Sequence, residues 1–216
     1  MVAAHRNETG YKFINGSTIQ YGQTYYFKVE PIKWRVLEEA DGTYPLLSEY
    51  IIDKQVFYTS SSTRTIDGKT IYANNYEHST IRKWLNNAFY NKAFSSPEKG
   101  NILTTLVDNS ASTTGTSTNR YFSNNTMDKV YLLSSQEARS STYGYKATSI
   151  TTDYARAVGA YMDTSYSNYG NGSWWLRSPD DSISTSAYGV GSNGIHYIVT
   201  DNVKYSYGAR PAIKIG

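Results

Sequence analysis

An α+β fold is predicted for this chain of 216 residues by three observations. Segments rich in aromatic and β-branched residues stand at both ends, segments of helical period occupy the middle, and turn residues separate the strands. No internal repeat or composition break divides the chain, which predicts one domain over residues 1–216 with 1–20 as a flexible N-terminal extension.

The first strands are "TYYFKV" (Thr24–Val29) and "IKWRVLEE" (Ile32–Glu39). Asp41-Gly42 supplies a hairpin turn, and "YPLLSEYII" (Tyr44–Ile52) returns as the next strand. In Ser79–Phe94 the period changes: Ile81, Trp84, Leu85, Ala88 and Phe89 fall on one helical face, with Ser79 as N-cap. Ser96-Pro97-Glu98 starts a second helix, with proline in the first turn, where its missing N–H costs nothing. Asp108–Asn119 is poor in apolar residues and is predicted to be a loop. "KVYLLSS" (Lys129–Ser135) is predicted to be a short buried strand; Ser134-x-x-Glu137 at its end is a capping box for a third helix. A fourth runs through "TTDYARAVGAY", capped by Thr151 or Thr152. From Trp174 onward the pattern is β again: "AYGV", "GIHYIV" and "VKYSYGARPAIKI" are separated by Ser192-Asn193-Gly194 and Thr200-Asp201-Asn202.

Composition narrows the function. Hydrophobic residues make up 39% and charged residues 18%, both low for a globular chain, yet aromatics reach 15% and tyrosine alone fills 22 positions. Each buried aromatic removes about 150–250 Å² from water, so few side chains suffice for a core. The net charge of +3 is carried by scattered residues, without the basic stripe that nucleic acid requires. Cysteine is absent, which excludes disulfides, thiolate metal sites and cysteine nucleophiles. No stretch approaches the ~18 apolar residues of a membrane span, so no membrane insertion is expected, and no signal peptide is visible at the start.

Motif strings mostly resolve to bland readings. "GVGSNG" (Gly189–Gly194) has dinucleotide-loop spacing but precedes a β run rather than a helix, and is predicted to be a hairpin turn. G-x-S-x-G is missing. Of three histidines, His5 lies in the N-terminal tail, His78 at the lip of the main helix, and His196 beside Asp201, where a dyad can be drawn. In an alternating strand such a histidine is more often surface than catalyst. Asp180-Asp181 lacks metal-loop spacing, so neither a metal, a cofactor nor a catalytic residue is assigned. Asn-x-Ser/Thr strings at Asn7, Asn15, Asn124 and Asn171 are expected by chance in so Asn-, Ser- and Thr-rich a chain.

"GSWWLRSP" (Gly172–Pro179) poses the sharpest choice. Strand alternation sends Trp174 and Trp175 to opposite faces, so the two rings serve different ends. At least one is expected to plug the core, with the Arg177 fork bonding carbonyls or a carboxylate. The other reading stacks a tryptophan face on a ligand.

The succession "IKWRVL", "YPLLSEYII", "STIRKWLNNAF", "KVYLLSSQEA", "TDYARAVGA", "WWLRSP" and "YGARPAIKI" resembles a bacterial and phage domain family, DUF6273, in order from about Ile32 to Ile215. The resemblance implies a C-type-lectin-like fold, near formylglycine-generating-enzyme-like domains and the variable proteins diversified by retroelements. It implies short antiparallel sheets, two main helices and long polar loops. It further implies a non-enzymatic binding module at a bacterial surface or on a phage virion, meeting a protein or glycan ligand. The copper-binding cysteines of formylglycine-generating enzymes and the EPN, QPD and WND strings of calcium-dependent sugar binding are missing.

The segment between Arg177 and Arg210 suits a display surface: Asp180, Asp181, Ser182, Ser184, Ser186, Tyr188, Ser192, Asn193, His196, Tyr197, Asp201, Asn202, Tyr205, Ser206 and Tyr207. Tyrosine gives large contact area with few rotors, and Ser, Asn and Gly adapt their hydrogen bonds, the mixture used by antibody paratopes. Trp84, Trp174, Trp175, Arg177, Arg210 and Pro211 are expected to form the scaffold. Two alternatives stand beside this reading: a structural domain of a phage or surface assembly, and an enzyme-like relative using His196 and Asp201.

Overall fold

The strand "WWLRSP" lies at the centre of the molecule. The computed structural model describes residues 2–3, 11–39, 41–195 and 201–216. In chain order the strands are β1 (Val2–Ala3), β2 (Thr24–Tyr25), β3 (Trp34–Val36), β4 (Tyr44–Ser48), β5 (Asp53–Val56), β6 (Arg64–Ile66), β7 (Lys69–Ile71), β8 (Thr105–Val107), β9 (Thr126–Asp128), β10 (Trp174–Pro179), β11 (Ser186–Val190), β12 (Asp201–Asn202), β13 (Ser206–Ala209) and β14 (Ala212–Ile215). A five-stranded sheet has the order β12-β11-β10-β13-β5, and a three-stranded sheet the order β14-β4-β3. All these pairs are antiparallel except β10 with β13. Helices are interspersed among the small sheets, as expected of an α+β chain.

Every residue of β10 is buried, and its alternation divides the core in two. Trp175 joins Phe57, Tyr76, Ile81, Leu85 and Leu132. Trp174 joins Leu37, Leu47, Ile51, Leu133 and Val190. The main helix supplies the first cluster. It begins at Thr80, and Ser79 accepts from the Arg82 N–H at 3.1 Å as its N-cap. Leu85–Phe89 is a π-helical segment between the α-helical turns Thr80–Trp84 and Tyr90–Ala93. The wider turn explains a departure from the expected apolar face: Phe89 stays buried while Ala88 is turned outward.

Local signals set the other helices. Ser95 and Glu98 form the capping box of Ser96–Asn101, one residue earlier than the sequence suggests. Ser134 and Glu137 cap Ser135–Ala138, and Thr152 accepts from the Ala155 N–H to cap Asp153–Ala157. The β3–β4 hairpin turns at Asp41 (φ 53°) and Gly42 (φ 69°), the left-handed pair expected of Asp-Gly.

Other elements differ from expectation. Thr24–Val29 forms a strand only at Thr24–Tyr25. Lys129–Ser135 is not a ladder strand. Val130, Tyr131, Leu132 and Leu133 are buried as predicted, but the backbone joins the sheets by single links, Tyr131 to Ala212 and Leu133 O to the Arg177 N–H. The loop after Asp108 contains a 3₁₀ turn, Ala111–Thr114. Asp201–Asn202, expected to be a turn, pairs with β11. The strand expected in "GIHYIV" falls largely outside the described residues.

Candidate ligand-binding surface

Both tryptophans of "WWLRSP" are fully buried, so neither face is open to a ligand. Their indole N–H groups donate internally, Trp174 to the Ala147 carbonyl at 3.1 Å and Trp175 to the Gln55 carbonyl at 3.0 Å. Arg177 is buried beside them. Its guanidinium donates to the carbonyls of Leu132 and Asp108 at 2.7 and 2.9 Å and pairs with the Glu137 carboxylate. Burial opposes the Arg177 charge, but Glu137 outweighs it and the pKa is raised. Burial likewise opposes ionisation of Glu137, and Arg177 reverses that, holding its pKa below the ordinary value.

Arg210 forms no ion pair among the described residues. It donates to the carbonyls of Ser48, Lys146 and Glu49 and lies 5.0 Å from the Trp174 ring and 5.3 Å from the Tyr145 ring. Desolvation draws its pKa down to about 10. The adjoining Pro211 is buried, and its carbonyl accepts from the Ser48 N–H at 2.9 Å. Trp84 is half-buried, its ring 5.2 Å from that of Phe89.

The residues between the two arginines divide by burial. Asp180, Ser186 and Tyr188 are inside, which removes them from the expected display surface. For Ser186 and Tyr188 the reason is that β11 is buried along its whole length, so alternation exposes neither face. Asp180 closes a turn by accepting from the Ser182 and Ile183 N–H groups at 2.7 Å, and burial pushes the Tyr188 phenol up to about 12.

The others lie at or near the surface. Ser182, Asn193 and Tyr205 are exposed, and Asp181, Ser184, Ser192, Asp201, Asn202, Ser206 and Tyr207 are half-buried. Asp181 accepts from Ser182 Oγ at 2.9 Å and Thr116 Oγ1 at 3.4 Å. The Ser184 carbonyl accepts from the Asn74 N–H at 3.1 Å, and Ser206 pairs with Val56. Asn202 accepts from Ser61 Oγ at 3.3 Å. Asp201 accepts from the Tyr207 hydroxyl. His196 and Tyr197 lie outside the described residues.

Sequence reasoning missed one contributor, the loop "YMDTSYSNYGNG" that leads into β10. Its base is closed by backbone bonds from Asp163 N to Asn171 O (2.7 Å) and from Gly170 N to Asp163 O (2.9 Å). Tyr166 is fully exposed and Tyr169 about half. Ser192 Oγ donates to Asp163 Oδ2 at 2.6 Å and ties this loop to the Ser192-Asn193-Gly194 turn. The Ser165 and Ser192 hydroxyls hold the Asp163 pKa below its ordinary value. The signal was available in the same Tyr, Ser, Asn and Gly mixture, placed just before the tryptophans rather than after them.

Among the described residues no group of three or more His, Cys, Asp or Glu side chains could hold a metal, and no helix is long and apolar enough to cross a membrane. The model of a family described as a domain of unknown function, DUF6273, matches residues 41–216, and the chain belongs to that family. The match begins at the β3–β4 turn, later than the resemblance at Ile32 suggests. No curated protein and no solved structure matches the chain.

Proposed function

We propose that this DUF6273 domain is a non-enzymatic binding module of C-type-lectin-like architecture, presenting Tyr-, Ser- and Asn-rich loops to a protein or glycan on a cell surface. The observation that carries the reading is a contrast. Trp174, Trp175, Arg177 and Arg210 are locked inside, while Tyr166, Asn193 and Tyr205 stand exposed, the first two on segments tied together through Asp163 and Ser192. Rigid bases under exposed tyrosines suit recognition, because little conformational freedom is lost on binding. In the fuller form of the proposal the module is a retroelement-diversified variable protein of a bacterial surface or phage. A reverse transcriptase gene beside a near-copy of the 3′ coding end would support that form.

The test is a screen of glycans and purified bacterial surface proteins, followed by Tyr166→Ala, Asn193→Ala and Tyr205→Ala on any ligand found. The variants are expected to keep the wild-type melting temperature and, at a true hot spot, to lose about 2 kcal/mol or more of binding free energy. Binding unchanged in all three overturns the assignment of the surface. Concentration-dependent self-assembly without an outside ligand would point instead to a structural domain of an array.

A further inference from the structure

A cleft of about 470 Å³ opens between β6 and the start of the main helix, lined by Arg64, Glu77, His78, Arg82, Lys83 and Asn87 among others. Its charges do not cancel. Arg82 is matched by Asp128, with N–O distances of 2.8 Å. Glu77 has His78 Nε2 at 3.7 Å and accepts from Asn124 Nδ2 at 3.0 Å. Arg64 and Lys83 form no ion pair among the described residues, and set against the Glu77 carboxylate they leave the cleft with a net positive charge.

Arg64 is also held in place. Its Nη2 donates to the His78 carbonyl at 2.9 Å, and its guanidinium carbon lies 4.0 Å from the centre of the Tyr58 ring. Its Nη1 is shielded from water and has no acceptor. A charged N–H left in that state is costly, and an anion in the cleft would offset the charge that no carboxylate answers. An immobilised guanidinium without a counter-charge is suited to oxyanions, because its planar donors are already oriented. Lys83 lines the cleft from the helix and Arg64 from the strand, so a tetrahedral group with oxygens on several sides can meet both.

We infer that this cleft binds a tetrahedral oxyanion, the sulfate or phosphate group of a ligand, between the Arg64 guanidinium and the Lys83 ammonium. The site uses none of the tyrosine-rich loops and stands or falls separately from them.

The test is an NMR titration of the ¹⁵N-labelled chain with sodium sulfate and with sodium phosphate, against sodium chloride at matched ionic strength. Saturable shifts are expected at the amides of residues 64, 78, 83 and 87 with sulfate, phosphate or both. Lys83 is exposed, so Lys83→Gln should leave the fold intact and weaken binding about tenfold. Arg64→Lys keeps the charge but removes the fork, and should also weaken it. A sulfated disaccharide and a sugar phosphate then identify the carrier: tighter binding of either ester than of its free ion supports a ligand-borne group. Shifts that merely follow chloride, or affinity unchanged in Lys83→Gln, overturn the proposal.

Discussion

The ring of Tyr207 stands edge-on to that of Trp175, 4.8 Å between centroids and 72° between planes. A residue expected to belong to the display surface therefore rests on one expected to belong to the frame. Its hydroxyl donates to Asp201 of β12. Tyr207 is thus packed against the core and bonded to β12 rather than standing as a free contact.

Trp175→Ala should destabilise the chain by about 3–5 kcal/mol, through lost apolar transfer and the cavity left against Phe57 and Leu85. Tyr207→Phe keeps the ring contact and loses only the hydroxyl bond to a carboxylate, so about 1.5–3 kcal/mol is expected. Tyr205→Ala, at a 60% exposed position, should stay within about 0.5 kcal/mol of wild type. Urea unfolding ranks the three, and an equal cost for Tyr205 and Trp175 would refute the division into surface and frame.

Glu137→Gln leaves Arg177 buried without its counter-charge, which should cost about 3–5 kcal/mol. The pH dependence follows from the depressed Glu137 pKa. The unfolded chain takes up the proton first as pH falls, so this stabilisation is complete above the ordinary glutamate pKa of about 4.3 and disappears on descent through the folded value. Urea midpoints between pH 7 and pH 3 should fall less steeply in Glu137→Gln than in wild type.

Asp53 has the opposite sign. Burial lifts its carboxyl to about 6, although the Lys54 N–H and the Gln55 side chain favour the ionised form. The folded chain holds this proton after the unfolded chain has released it, so stability declines as pH rises from about 4 to about 6. Asp53→Asn should remove that decline and raise stability at pH 7 by about 1–3 kcal/mol. No change in the pH profile would count against a desolvated carboxyl.

Gly208 is where β13 meets β10, with its N–H donating to the Ser173 carbonyl at 2.9 Å. A Cβ there would lie 2.5 Å from Ile51 Cγ2 and 2.8 Å from the Ser173 oxygen. Gly208→Ala should lower stability by about 1–3 kcal/mol through overpacking. A wild-type melting curve would show that the two strands separate more readily than this packing implies.

The helix caps at Ser79 and Ser134, the capping box with Glu137 and the Asp-Gly turn were all legible in the sequence, and Thr152 was one of two caps it offered, because each is made by residues within a few positions of one another. So was the opposite facing of Trp174 and Trp175, which follows from the strand period. Burial of both rings was not legible. Alternation says that two faces exist, but only the packing of Phe57 and Tyr76 on one side and Leu47 and Leu133 on the other covers both. The same double covering took Tyr188 and Ser186 out of reach.

By itself the sequence determined the α+β character, the local helix starts and the family, since these depend on residue type and short spacing. Tertiary structure alone decided which polar residues face water, that Glu137 answers Arg177 from forty positions away, and that the Tyr166 loop joins the Ser192 turn. Those outcomes depend on distances between segments remote in the chain. Desolvation is a property of everything packed around a group, and no local pattern encodes it.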